Sequence, residues 1–82
     1  MDAVGQTILG YLSKAVADAG GGDPVTANTG LLETGLLDSM GLVGLIQFIE
    51  SEFRLQIPDA DLTPELFETP ASVADYVARR LA

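Results

Sequence analysis

The chain contains no cysteine and no histidine. The first absence excludes disulfides, thiolate nucleophiles and cysteine-based metal sites. With histidine also missing, the commonest general base and nucleophile are both gone. Cations are scarce as well: four Lys and Arg stand against twelve Asp and Glu, a net charge of −8. A nucleic-acid binder must neutralise phosphates with Lys and Arg, and docking on anionic lipid needs the same residues, so neither partner is expected. No apolar run is long enough to cross a bilayer, and Met1-Asp2 lacks the basic start of a signal peptide. The expectation is a cytoplasmic protein without membrane insertion. Its acidity keeps it soluble and steers it towards partners with basic faces.

What is present reads as one globular domain over residues 1–82, with 48% apolar and 20% charged residues. A chain this short buries about 60–65% of its unfolded surface, enough for one modest core and no deep active site. Val4, Ile8, Leu12 and Val16, widened by Leu9 and Ala15, give a helical stripe over about residues 2–19, with Asp2 as its cap and Gly20-Gly21-Gly22 as its stop. A long connection over residues 20–38 follows. Its Leu31-Leu32 and Leu36-Leu37 are suited to pin it onto a helical core. A second helix is expected over residues 39–53, with Leu42, Leu45, Ile46, Ile49 and Phe53 on its core face. Met40, Val43, Gln47 and Glu50 fall on another arc that begins beside Ser39. Ile57-Pro58 interrupts any longer helix. Thr63 or Pro64 can open a short third helix over residues 65–68, and Thr69-Pro70-Ala71-Ser72 starts the last, striped by Val73, Val77 and Leu81. Pairs at i,i+4 are expected between Glu50 and Arg54 and between Asp75 and Arg79. The fold class is all-α: a four-helix bundle with a long first loop and a short third helix.

The informative stretch is Gly35-Leu36-Leu37-Asp38-Ser39-Met40. A long loop delivers a serine to the first position of a helix, where its hydroxyl should be exposed. An anion placed on that hydroxyl gains from the free N–H groups and dipole of the helix start. Read alone, an Asp-Ser before an apolar helix is equally an ordinary N-cap.

Leu37-Asp38-Ser39-Met40, then Leu42-Val43 and Leu45-Ile46, then Ile49-Glu50, Glu52-Phe53 and Ile57-Pro58-Asp59, resemble the acyl carrier protein family over almost the whole chain. The resemblance implies that Ser39 receives 4′-phosphopantetheine from coenzyme A, with Asp38 as the neighbouring family aspartate. It implies docking on the second helix by a phosphopantetheinyl transferase, an adenylating or acyl-loading enzyme, and downstream acyl-accepting or cargo-modifying enzymes. Beside Ser39, Met40 and Val43 look like an apolar contact patch with Gln47, and Asp38 and Glu50 supply its charge. Such a carrier needs no catalytic base, since a prosthetic arm supplies the thiol that the chain lacks. It is therefore expected to be a monomer and no enzyme. Gly35-Leu36-Leu37-Asp38-Ser39-Met40-Gly41 and Leu66-Phe67-Glu68-Thr69-Pro70 look closest to free-standing D-alanyl carriers and to carriers of natural-product pathways, polyketide or peptidyl.

Gly41 and Gly44 depart from that pattern. Each costs about 1 kcal/mol relative to Ala inside a helix, and small residues there would let a partner backbone approach closely. The helix also lacks the acidic row of fatty-acid carriers. Arg outnumbers Lys three to one, and Ala and Gly are abundant, as in high-GC bacteria with specialised metabolism. Other readings fit less well. Asp59-Ala60-Asp61 begins like a calcium loop, but Thr63 and Pro64 stand where that pattern asks for an acid or Asn and then Gly. A carboxylate pair of Glu33 and Asp38 lacks a pocket to work in. An unmodified interaction module with the carrier fold is the remaining alternative.

Overall fold

The computed structural model describes residues 3–18, 20–21 and 24–81, with Ser39 described by its backbone alone. The expected Asp2 cap lies outside the described residues. Three α-helices form among them: α1 (Ala3–Asp18), α2 (Ser39–Phe53) and α3 (Pro70–Leu81), with a single 3₁₀ turn at Asp59–Asp61.

The helix ends follow from local chemistry. α1 closes on a glycine pair. The Gly20 N–H donates to the Ala17 carbonyl at 3.2 Å and the Gly21 N–H to the Val16 carbonyl at 2.9 Å, with φ of 110° and 86°. This double bond pattern is the Schellman stop, and positive φ favours glycine there. α3 starts on a reciprocal cap. Thr69 Oγ1 accepts from the Ser72 N–H and Ser72 Oγ accepts from the Thr69 N–H, each at 3.1 Å, while Pro70 fills the first helical position, where its missing N–H does no harm. Arg79 and Arg80 close its last turn, complementing the dipole.

α1 packs principally along α3, and α2 touches both. The shortest dimension, 20 Å, is two helix diameters. Ile8 and Leu12 of α1, Leu45 and Ile49 of α2, and Val73 and Val77 of α3 meet in one core. Leu31 and Leu37 from the first loop join it, so those leucines do pin the loop. Leu32 and the terminal Leu81 stay largely outside, at 40% and 49% exposure.

The bundle departs from the four-helix expectation. Residues 64–67 form turns where a third helix was expected over residues 65–68. The bonds there run from Leu66 N–H to the Thr63 carbonyl at 3.1 Å and from Glu68 N–H to the Glu65 carbonyl at 3.4 Å, both closing three-residue steps. Thr69 must be extended ahead of Pro70, so no second turn can follow. Leu66 and Phe67 nevertheless plug the core.

The two expected i,i+4 pairs are replaced. The ion pairs among the described residues are Lys14–Asp18 at 3.3 Å and Arg80–Asp61 at 3.8 Å. Tyr76 lies between the latter two, its hydroxyl donating to Asp61 Oδ2 at 2.7 Å and accepting from Arg80 Nη1 at 2.6 Å. This knot ties the 3₁₀ turn to α3. Partial burial, and then the bond to Asp61, raise the Tyr76 pKa above the ordinary phenol value.

Candidate functional site

The start of α2 is held from three sides. Asp38 sits in extended conformation as the N-cap, and its Oδ1 accepts from the Gly41 N–H at 2.7 Å. Its carbonyl accepts from the Leu42 N–H at 2.8 Å. Ahead of it, Gly35 turns the chain at φ 77°, and the Leu37 N–H donates back to the Leu31 carbonyl at 3.1 Å. The loop is then moored to the start of α3 through the Leu31 N–H on the Glu68 carbonyl at 2.9 Å and the Ala71 N–H on the Ala27 carbonyl at 3.0 Å. Ser39 is therefore the first residue of a helix whose origin is fixed by a cap, a buried leucine pair and two bonds to a neighbouring element. Its side chain lies outside the described residues.

The four serines can be compared by position. Ser13 and Ser51 are exposed inside or at the end of helices. Ser72 is committed: its hydroxyl bonds the Leu66 and Thr69 carbonyls at 2.8 Å while capping α3. Only Ser39 opens a helix, where unpaired N–H groups and the macrodipole favour an attached anion.

The residues expected beside Ser39 divide. Met40 is 83% exposed and Val43 52%, and Gln47 is exposed on the same face, so three of them form a continuous surface. Glu50 stands at its margin, half-buried, with Oε2 accepting from the Ile57 N–H at 3.0 Å. That bond ties the end of α2 to the connector and accounts for the missing pair with Arg54. Asp38 is likewise engaged, through its cap.

The glycines of α2 have internal reasons. A Cβ on Gly44 would stand 2.9 Å from the Tyr11 hydroxyl oxygen. The Tyr11 ring stacks on Phe48 with centroids 4.4 Å apart and planes 15° from parallel. Gly44 thus admits a side chain of α1, an internal reason for the glycine that stands beside the close approach of a partner expected from the sequence. A Cβ on Gly41 would lie 3.3 Å from Asp38 Oδ1 and 3.5 Å from Leu37 Cδ2. Between α1, the first loop and this first turn of α2 opens a cleft of about 260 Å³, lined among others by Tyr11, Leu12, Val16, Leu36, Asp38 and Gly41. Tyr11 was absent from the stripe read off α1; the signal for it was the pair of glycines inside α2, which only a close neighbour justifies.

A serine at a capped helix start, a carboxylate already engaged by an N–H, and apolar surface beside them suit a phosphodiester-linked arm. Residues 9–77 match the family described as the phosphopantetheine attachment site. The lincomycin biosynthesis protein LmbN of Streptomyces lincolnensis is 40% identical over 68 residues, covering 83% of this chain and 24% of that protein. The chain therefore spans about a quarter of that relative. A D-alanyl carrier protein of Lacticaseibacillus casei is 38% identical over 60 residues, 71% of this chain and 74% of that one. Among solved structures, a chain in the complex of Bradyrhizobium japonicum glycine:carrier protein ligase with its cognate carrier protein and a glycyl adenylate analogue superposes with a TM-score of 0.82. The two are 29% identical, and the match covers 95% of this chain and 99% of that one.

Fold and site together define a carrier domain. The chain belongs to the phosphopantetheine attachment-site family, and 4′-phosphopantetheine is its prosthetic group.

Proposed function

We infer that Ser39 bears the phosphopantetheine. The chain, one carrier domain over residues 1–82, presents an acyl or aminoacyl thioester to partner enzymes and catalyses no step itself. The observation that carries this reading is positional: Ser39 alone among four serines opens a helix, capped by Asp38 at 2.7 Å. In the attachment, the Ser39 oxygen forms a bond to phosphorus of coenzyme A. The phosphoanhydride bond breaks, 3′,5′-adenosine bisphosphate leaves, and the serine proton passes to a base of the transferase. The group then supplies a thiol to a chain without cysteine. Asp38 sets the helix start that holds the arm. Tethering keeps the cargo at high effective concentration wherever the domain docks.

Met40, Val43 and Gln47 offer the docking surface, with Glu50 at its edge. The net charge of −8 favours basic faces on the partners. Those partners are a phosphopantetheinyl transferase, an adenylating or acyl-loading enzyme and downstream acyl-accepting enzymes, met by a cytoplasmic monomer. The likeness to a carrier crystallised with a glycine ligase supports an adenylating partner and an amino acid as cargo. The likeness to a lincomycin protein supports natural-product biosynthesis. The D-alanyl carriers support a second reading, a D-alanyl carrier for cell-wall modification.

The test is intact mass before and after incubation with coenzyme A, magnesium and a promiscuous phosphopantetheinyl transferase. Wild type should gain one phosphopantetheine and Ser39→Ala none, with the helical circular dichroism of both unchanged. A gain in Ser39→Ala would move the attachment to another residue, and no gain in wild type beside a labelled control carrier would leave an unmodified interaction module; either result rejects the reading.

A further inference from the structure

Ser72 is held more tightly than a helix cap requires. A cap needs one acceptor for a free N–H, and Ser72 Oγ supplies it by accepting from the Thr69 N–H at 3.1 Å. The same hydroxyl also donates its one proton, shared between the Leu66 and Thr69 carbonyls, each at 2.8 Å. The Thr69 carbonyl has a further donor in the Val73 N–H at 3.2 Å, and the bond to Leu66 is the one that reaches out beyond the helix start. It closes residues 66–69 into a clasp. Leu66 and Phe67 are buried in the core, and the Glu68 carbonyl, within the clasp, accepts the Leu31 N–H at 2.9 Å. The Leu31 carbonyl in turn accepts the Leu37 N–H at 3.1 Å. Asp38, the next residue, caps α2 at Ser39. One polar side chain thus stands at the head of a run of bonds that ends at the attachment position.

We propose that Ser72 is a positioning residue for phosphopantetheine attachment: its hydroxyl fixes the Glu68 carbonyl, and through Leu31 and Leu37 it fixes where α2 begins. The inference rests on the reading that Ser39 bears the arm. The bond pattern favours this role over capping alone. Donation to Leu66 satisfies none of the free N–H groups of α3, yet it holds the turn whose carbonyl meets the first loop. That loop needs an anchor, because residues 24–38 form turns and no helix and hand their placement directly to Ser39. The body of α2 is held separately, by Leu45 and Ile49 in the core. Opening the clasp therefore leaves Val43 and Gln47 of the docking surface in place and loosens only the helix start. The loss should appear in kcat for the transfer and not in KM for the carrier, because displacing an attacking oxygen by about 1 Å costs as much as about a hundredfold in rate.

The experiment uses the full chain and three variants that separate the acceptor and donor roles of residue 72. Ser72→Ala removes both. Ser72→Asp keeps an acceptor for the Thr69 N–H and a charge suited to the helix start, but has no proton for Leu66; it also serves if Ser72→Ala does not fold. Ser72→Thr keeps both roles. Amide hydrogen exchange reads the run of bonds. Initial rates of phosphopantetheine transfer from coenzyme A, followed by intact mass at varied carrier concentration, read the site. In Ser72→Ala and Ser72→Asp the Leu31 and Leu37 amides should exchange about fivefold faster, the effect of losing one bond of ordinary net strength, with the Leu45 and Ile49 amides unchanged. In both, kcat should fall about three- to tenfold with KM within about twofold of wild type, and Ser72→Thr should restore exchange and rate. Normal exchange and kcat in Ser72→Asp would reduce Ser72 to a cap. Faster exchange with unchanged kcat would show a loop anchor that does not reach the site. Either result overturns the positioning role and leaves the attachment at Ser39 intact. No label on wild type, or a label retained by Ser39→Ala, would overturn both.

Discussion

Gly44→Ala isolates the Tyr11 contact from ordinary helix propensity. In a helix interior, Gly to Ala stabilises by about 0.8–1.0 kcal/mol. Gly10 of α1 provides the reference, because a Cβ there meets nothing within 4 Å; Gly10→Ala should raise stability by about 1 kcal/mol. At Gly44 the new Cβ meets the Tyr11 oxygen at 2.9 Å, closer than non-bonded atoms tolerate. The hydroxyl can retreat only by moving its ring off Phe48, and such a stacked pair is worth about 0.5–1.5 kcal/mol beyond its buried area. The two effects are of similar size, so Gly44→Ala should be neutral or mildly destabilising. In a Tyr11→Phe background the oxygen is gone, and the same substitution should recover about 1 kcal/mol. The coupling between the two positions is therefore about 1 kcal/mol. Urea unfolding followed at 222 nm, with unchanged m values, measures the four proteins of this cycle and the Gly10→Ala reference, and each kcal/mol moves Tm by about 4–8 °C in a domain of this size. If Gly44→Ala stabilises wild type as much as Gly10→Ala does, Tyr11 is not held against Gly44 and the cleft wall is misplaced.

Three further outcomes can be checked on the same instruments. Asp38→Ala should lose about 1 kcal/mol by removing the bond to the Gly41 N–H, whereas Asp38→Asn, an equally good cap, should stay within about 0.3 kcal/mol of wild type; equal losses would show that charge and not capping matters. Glu50→Ala should destabilise by about 1 kcal/mol through the Ile57 N–H, whereas Glu50→Gln, whose amide oxygen still accepts that bond, should recover most of the loss; no change in Glu50→Ala would return Glu50 to the docking surface. Tyr76 has a folded-state pKa above its unfolded value, so its contribution is complete below about pH 10 and fades as pH rises through the folded value. The stability gap between wild type and Tyr76→Phe should therefore be constant from pH 7 to 9 and narrow above pH 10, and a gap that widens there would reverse the assignment.

Much of this was legible in the sequence for a definite reason. Ile8 and Leu12, Leu45 and Ile49, and Val73 and Val77 repeat at the helical period. Gly20-Gly21 and Thr69-Pro70 are terminators whose chemistry acts within a few residues. The segment over residues 64–67 was not legible, because one turn of three-residue steps leaves no period to read. The role of Glu50 escaped because a helical projection shows which way a side chain leaves its helix but not that the chain later returns to it at Ile57. Tyr11 lies off the aliphatic stripe of α1, and its partners Phe48 and Gly44 belong to another helix. The order of residues around Ser39 was local and could be read directly. The cleft beside it is tertiary and could not.

The claim that Ser39 bears the arm is tested most directly by mapping the modification. Protein labelled from coenzyme A is digested, and each fragment holding Ser13, Ser39, Ser51 or Ser72 is weighed and sequenced by tandem mass spectrometry. The account predicts phosphopantetheine on the fragment containing Ser39 and on no other. Label on any other serine, or a label that survives Ser39→Ala, would contradict it.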